Sequence, residues 1–202
     1  MFITIEGIEG CGKSTLVAGL VTRLRAQGRE TIVTREPGGT PAGDAIRRIF
    51  LEPDLVLAPL TEALLINAAR AQHVAELIAP ALDRGELVLC DRFVDSTLAY
   101  QGYGRGMDLD LLESLCDTAT GSLVPDRTYV LDLPVAISRR RVAERDGGDA
   151  DRMEREGDDF YERARRGFLT LAQRDGRYRV FDATKPPEEL VAQIHGDLME
   201  FV

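Results

Sequence analysis

The run Gly7-Ile8-Glu9-Gly10-Cys11-Gly12-Lys13-Ser14 fits the spacing GxxxxGK[ST], and residues of those types at that spacing do one kind of chemistry: they hold polyphosphate. Gly7, Gly10 and Gly12 let successive backbone N–H groups turn toward one point. A helix beginning there adds its positive end, and Lys13 supplies a mobile charge for β- and γ-phosphates. Ser14 offers a hydroxyl to Mg²⁺. The stretch Gly7 to Thr15 is therefore the expected nucleotide cradle, with Cys11 as a small loop residue. Glu9 stands out within it, because a carboxylate among phosphates is electrostatically costly and needs a use.

Such a loop serves switches, motors, pumps and kinases alike. A GTPase switch is disfavoured: DxxG occurs nowhere, and the single Asn, Asn67, is followed by Ala rather than by the Lys of NKxD. A nucleic-acid motor is disfavoured by a length of 202 residues and a net charge of -9, since polyanionic partners reward broad basic surfaces. A second cluster lies at Asp91-Arg92, directly after the apolar run Leu87 to Cys90. In α/β sheets ligands sit beyond the carboxyl ends of strands, so Asp91 suits an outer ligand of Mg²⁺ and Arg92, a planar fork, suits a phosphate. The same two residues also suit a structural ion pair. His73 and His195 fall in helical patterns, where solvated or structural roles are expected.

The elements that must position these groups are legible as period. Apolar runs at Phe2 to Glu6, Thr31 to Thr34, Leu87 to Cys90, Thr128 to Leu133 and Tyr178 to Phe181 alternate with helical patterns, which implies an α/β fold with a parallel five-stranded sheet of the P-loop NTPase type and helices on both faces. Leu16, Val17, Leu20, Val21 and Leu24 recur at helical spacing before Gly28. Leu190, Val191, Ile194 and Leu198 do so after Pro186 and Pro187. No repeat, low-complexity tract or linker divides the chain, so residues 1–202 read as one domain. From Ser138 to Arg166 Arg, Asp and Glu crowd around Gly147 and Gly148, which predicts a helix, a polar flap and a second helix, with a short lid at about 144–157. No basic leader and no apolar run near the ~20 residues of a membrane span is present. The cysteines are odd in number and scattered, so a soluble protein of the reducing cytoplasm is expected.

Three further segments join the loop in one pattern: TREPGGT at Thr34 to Thr40, CDRFVDSTLAYQGYGRG at Cys90 to Gly106, and DRMERE at Asp151 to Glu156, with LDLP at Leu131 to Pro134 in register. Together they resemble bacterial thymidylate kinase. The resemblance implies ATP-dependent phosphorylation of deoxythymidine monophosphate (dTMP) with Mg²⁺, in a homodimer. It gives the acceptor phosphate to Arg92 and Arg35, although REPGG also suits a plain turn with a solvated arginine. It further implies that Arg70 and Gln101, with Thr97, meet the thymine edge, that Tyr100 crowds the place of a ribose 2′-hydroxyl, and that Glu9 lies near the sugar 3′-hydroxyl. One residue departs from the family: where an aromatic ring commonly stacks on the base, this chain has Ile66, which forgoes ~0.5–1.5 kcal/mol of stacking. Phe50 or Phe93 is a substitute ring. The acceptor phosphate is already ionised near neutral pH, so no strong base is needed and charge neutralisation dominates. Lys13 and Arg92 supply part of it, and Arg145 and Arg152, flanking Gly147-Gly148, are expected to close over the phosphates as internal arginine fingers, as in family members with glycine after the P-loop acid. A kinase for another nucleoside monophosphate, or a non-catalytic ATP-binding module, remains open on the sequence.

Overall fold

The five apolar runs become five parallel strands: β1 Phe2–Glu6, β2 Thr31–Arg35, β3 Leu87–Asp91, β4 Arg127–Asp132 and β5 Tyr178–Asp182. They are seen in a computed structural model that describes residues 1–146 and 151–201. The sheet order is β2-β3-β1-β4-β5. Order reverses at β1, with β2 and β3 laid down on one side of it and β4 and β5 on the other, and the crevice at such a reversal is where open α/β sheets bind ligands. Register places Ile5 and Arg35 on either side of Asp91, so the residues that follow β1, β2 and β3 emerge side by side.

Alternation along β1 sends Ile3 and Ile5 to one face and Phe2 to the other. The first face is covered by α1 (Lys13–Ala26) and α9 (Pro187–Phe201), whose Leu16, Leu20, Leu190 and Ile194 share one core with Ile3, Ile5 and Leu131. These are the two helical stripes read from sequence. The approach of α1 to α9 depends on Gly19, where a Cβ would stand 2.6 Å from Val191 Cγ2.

The other face carries the helices that build the site. α2 (Pro41–Leu51) is capped by Thr40, whose hydroxyl accepts from the Gly43 N–H at 3.0 Å. α3 (Pro59–His73) runs on through a widened turn at Val74–Ile78 into the short α4 (Ala79–Asp83). α5 (Val94–Thr97) continues as π-helix over Leu98–Gly104, closed by the Arg105 N–H on the Tyr100 carbonyl at 2.9 Å. π turns are frequent at functional sites, and this one carries Tyr100 and Gln101. α6 (Leu109–Thr120), α7 (Val135–Asp146) and α8 (Asp158–Leu171) complete the layer. The expected helix, flap and helix of residues 138–166 correspond to α7, the segment 151–157 and α8. The Gly147-Gly148 hinge lies outside the described residues.

Gly19→Ala should lower the denaturation midpoint. The alanine gains roughly 0.5–1 kcal/mol of helix propensity, but overpacking against Val191 costs about 1–3 kcal/mol. In a Val191→Ala background the sign should reverse, and a stabilised single variant would show that the helices separate freely.

Candidate active site

The loop after β1 takes its shape from glycine. Gly7 has φ 137°, and a Cβ there would lie 2.6 Å from the Leu131 carbonyl oxygen, so no other residue fits beside β4. Lys13, in the first turn of α1, folds its ammonium back onto the loop, 3.0 Å from the Gly7 carbonyl oxygen and 3.1 Å from that of Ile8. Cys11 is buried beneath, and burial pushes its thiol pKa up, so it packs rather than reacts. Ser14 and Thr15 are exposed at the cavity mouth.

Arg92 follows β3 with φ 72°, a left-handed conformation that a non-glycine residue adopts only when its surroundings impose it. The backbone turn aims its guanidinium back at the loop. Nη1 donates to the Gly7 carbonyl at 3.0 Å and to Ser96 Oγ at 3.1 Å, and Nη2 donates to Glu9 Oε1 at 2.8 Å. Glu9 Oε2 accepts from the Tyr100 hydroxyl at 2.6 Å, and the Arg92 guanidinium lies over the Tyr100 ring, 5.1 Å from its centroid. Burial opposes ionisation of Glu9, but Arg92, Lys13 and the Tyr100 hydroxyl outweigh it and hold the carboxyl below the usual range. Glu6, one residue before the loop, receives the Phe93 N–H at 2.7 Å and the Ser96 hydroxyl at 2.6 Å. It anchors the turn that carries Arg92, and burial, followed by the charge of Asp95, pushes its pKa up.

Lys13 and Arg92 border a cavity of about 500 Å³, a size ordinary for small-molecule sites. Of the residues expected from sequence, Glu9, Gly10, Gly12, Lys13, Ser14, Thr15, Ile66, Arg70, Asp91, Arg92, Thr97, Tyr100, Gln101 and Arg145 line it, whereas Gly7, Ile8 and Cys11 of the same loop do not; Ile8 and Cys11 are buried in the core. Phe50 and Phe93 also line it, so rings are present beside Ile66. Two expected residues lie elsewhere. Arg35 is exposed on a neighbouring groove with Ser14 and Asp91. Arg152 is buried away from the cavity wall, donating to the Phe50 carbonyl at 2.8 Å and to Glu62.

Arg70 is 1% exposed, and all its N–H groups have partners. Nε meets Glu36 Oε2 at 2.8 Å, Nη1 meets Asn67 Oδ1 and Cys116 Sγ, and Nη2 meets the Phe93 carbonyl and Thr97 Oγ1. Glu36 in turn holds His73 Nδ1 at 3.0 Å, whose Nε2 lies 2.6 Å from Thr34 Oγ1. The structural role expected for His73 thus has a content: it ties REPGG to α3. Gln101 is 1% exposed and donates through Nε2 to Glu62 Oε2 at 3.1 Å, while its Oε1 has no partner among the described residues.

Sequence reasoning missed two arginines on the cavity wall. Arg47 donates to the Pro37 carbonyl at 3.0 Å, and burial, then the charges of Arg35 and Arg92, lower its pKa. Cations crowded in this way favour an anion among them. Its signal was one turn of helix: Arg47 stands three residues before the inward Phe50. Arg141 reaches the Gly10 carbonyl at 3.3 Å from α7, which packs on the loop through Ser138 Oγ and the Glu9 carbonyl at 2.8 Å. Arg141 and Arg145, four apart, share that helix face. The carboxylate of Asp91 keeps a buried Oδ1 without a partner among the described residues, on the same cavity as the Ser14 hydroxyl. That orphaned oxygen and hydroxyl fit the outer and inner ligands of a phosphate-bound Mg²⁺.

A glycine cradle at a sheet reversal, facing a second anion pocket walled by arginines, defines a P-loop phosphotransferase. The family model "Thymidylate kinase" matches residues 5–194. Similar proteins include the thymidylate kinases of Deinococcus radiodurans, 50% identical over 99% of this chain and 97% of that protein, of Carboxydothermus hydrogenoformans, 51% identical over 98% and 96%, and of Bifidobacterium longum, 48% identical over 99% and 98%. This chain belongs to the thymidylate kinase family, and it phosphorylates dTMP to deoxythymidine diphosphate with ATP as the phosphate donor.

Replacing Arg92 by Met removes the strongest of the influences that keep Glu9 ionised. A carboxyl whose folded pKa is depressed contributes stability above its unfolded pKa and loses it as pH falls through the folded value. In Arg92→Met the Glu9 titration, followed by carboxyl ¹³C NMR, should move to higher pH. An unmoved midpoint would mean that Lys13 and Tyr100 suffice.

Proposed function

We propose that phosphoryl transfer takes place at the Gly7 carbonyl, where the two halves of the cavity meet. The observation that carries this is the shared oxygen: the Lys13 ammonium and the Arg92 guanidinium, from different strands' ends, each donate to it at 3.0 Å. Lys13 and the loop N–H groups from Gly7 to Thr15 take the phosphates of ATP, and Arg92 takes the phosphate of dTMP. A phosphate oxygen of dTMP forms a bond to the γ-phosphorus while the bond from that phosphorus to the β,γ-bridging oxygen breaks, releasing ADP. Arg145 and Arg141 flank the loop at this end and offset charge on the transferred group, with Arg47 and Arg35 extending the positive field. Arg152 acts on the base end through its contact with Glu62.

Asp91 and Ser14 hold Mg²⁺, which when bound neutralises phosphate charge. Glu9, drawn to Tyr100 and Arg92, borders the sugar. Ile66 and Phe50 exclude water from the pyrimidine, Arg70 and Thr97 face its edge, and Gln101 Oε1 accepts from the thymine N3–H. The exclusion of a 2′-hydroxyl by Tyr100 agrees with its fixed position between Arg92 and the Phe168 ring, 5.7 Å away.

Lys13→Ala should abolish most turnover. Arg92→Met should raise the KM for dTMP at least tenfold, since a charge-assisted contact of ~1.5–3 kcal/mol is lost, with the KM for ATP little changed. Asp91→Asn should raise the Mg²⁺ concentration needed for half-maximal rate. ADP release with dTMP, dCMP, UMP and AMP reads all three, and an Arg92→Met enzyme with the KM for dTMP of the unaltered protein would refute the division.

We also propose a cytoplasmic homodimer. The three cysteines are free and buried, as suits a reducing compartment. No described helix is long and apolar enough to cross a membrane. Ile49, Leu60, Leu64 and Leu111 leave an exposed apolar surface on α2, α3 and α6, and such surfaces mark interfaces. Light scattering should give twice the 22.3 kDa chain mass, falling to one chain for Leu60→Glu/Leu64→Glu; a monomeric parent would refute the dimer.

A further inference from the structure

The structure assigns Glu62 as the residue that sets base preference, by fixing which end of the Gln101 amide faces the cavity. The inference rests on the reading of Gln101 as the group that meets the pyrimidine edge.

Glu62 sits in the first turn of α3, 1% exposed, outside the cavity wall. Its carboxylate is surrounded by donors. Arg105 Nη2 meets Oε1 at 2.9 Å and Arg105 Nε meets Oε2 at 3.2 Å; Arg152 Nη1 also donates to Oε1, and Gln101 Nε2 donates to Oε2 at 3.1 Å. A carboxylate ion-paired to two guanidinium groups offers lone pairs only. A primary amide has a donor end and an acceptor end of nearly equal shape, so its orientation is decided by its fixed neighbour. Glu62 therefore claims the NH₂ of Gln101 and leaves Oε1 as the free end of a side chain that borders the cavity, buried and without a partner among the described residues.

That choice discriminates between pyrimidines. Thymine carries a hydrogen at N3, which an amide oxygen accepts. Cytosine carries a lone pair at N3, which meets Oε1 as acceptor against acceptor, and a site built around an unpaired buried group rejects the wrong partner strongly. Glu62 is a positioning residue: it touches no substrate and acts through Gln101. It also links the lid to the base, because the arginine of DRMERE, Arg152, holds the same carboxylate.

Glu62→Gln tests this with little change of shape. Two arginine donors converge on the Oε1 position and a single, longer one, Arg105 Nε at 3.2 Å, on Oε2, so the new amide places its carbonyl at Oε1 and its NH₂ toward Gln101. Gln101 must then turn its oxygen away from the cavity and its NH₂ toward the base. The dTMP:dCMP ratio of kcat/KM should fall at least about tenfold, one hydrogen bond's worth of discrimination. In a Gln101→Ala background, where the preference is already lost, Glu62→Gln should change the ratio no further. Thermal melting establishes that each variant is folded. A folded Glu62→Gln with an unchanged ratio, or one whose ratio falls equally without Gln101, would overturn the proposal. If Gln101→Ala itself leaves the ratio unchanged, it is the reading of the base site that fails. Should Glu62→Gln not fold, ¹⁵N NMR of the unaltered protein decides. The Gln101 side-chain NH₂ should stay protected from exchange on Glu62 both with and without dTMP, and an amide that reverses on binding would overturn the proposal.

Discussion

Two positive charges are held on one carbonyl oxygen. Lys13 and Arg92 each donate to Gly7 at 3.0 Å, so their nitrogens are no farther apart than about 6 Å, where like charges repel by about 3 kcal/mol at an effective dielectric of 20. Glu9 makes this tolerable in the absence of substrate. It pairs directly with Arg92, and its depressed pKa is the counterpart of the same field. The positive φ of Arg92, the glycine at position 7, and the grip of Glu6 on Phe93 and Ser96 all serve to bring the second cation to the first. Under the proposed division, a nucleotide phosphate on each side would replace a stand-in that the protein already carries, which is the sense in which the site is organised before binding.

The remaining architecture extends from that point in two directions. Toward the donor nucleotide, the loop and α1 are fixed by the core shared with α9, while α7 presses Arg141 and Arg145 over the loop. At the other end of the cavity, the π turn after α5 presents Tyr100 and Gln101 as neighbours, and two buried carboxylates behind the wall fix its side chains: Glu36 pairs with Arg70 and His73, and Glu62 holds Gln101, Arg105 and Arg152. Breaking one partner of such a buried pair is costly, so these groups resist rotation when the substrate arrives. The acceptor phosphate needs no base to ionise it; His73 braces the wall and His195 lies at the surface near Gln27.

Much of this was legible in the sequence. All five strands lay within a residue or two of their apolar runs; the inner three, β1, β3 and β4, announce themselves as largely unbroken hydrophobic stretches because they are buried on both faces. The glycine loop, Asp91-Arg92 and the residues from Thr97 to Gln101 converge on one cavity as expected, since motif and strand end coincide. What escaped was decided by packing across long separations. Arg152 was expected to close over the phosphates from the Gly147-Gly148 hinge and the DRMERE match; here it is held by Glu62 and the Phe50 carbonyl. Arg35, at the end of β2, lies exposed on a neighbouring groove with Ser14 and Asp91. Arg47 and Arg141 look in sequence like any solvated helix arginine; only the placement of α2 and α7 against the loop turns them inward. Ile66, a departure from the family pattern, lines the cavity with Phe50 and Phe93, so the cavity has apolar lining without the usual ring at that position.

The most direct test of the shared oxygen is a crystal structure with ADP, dTMP and a planar metal fluoride in place of the transferring phosphoryl group. The Lys13 ammonium and the Arg92 guanidinium should bracket the fluoride from opposite sides, released from Gly7 and within hydrogen-bond distance of it or of the oxygens it joins. A complex in which Arg92 stays on Gly7 and Glu9 while the dTMP phosphate is bound elsewhere would contradict it.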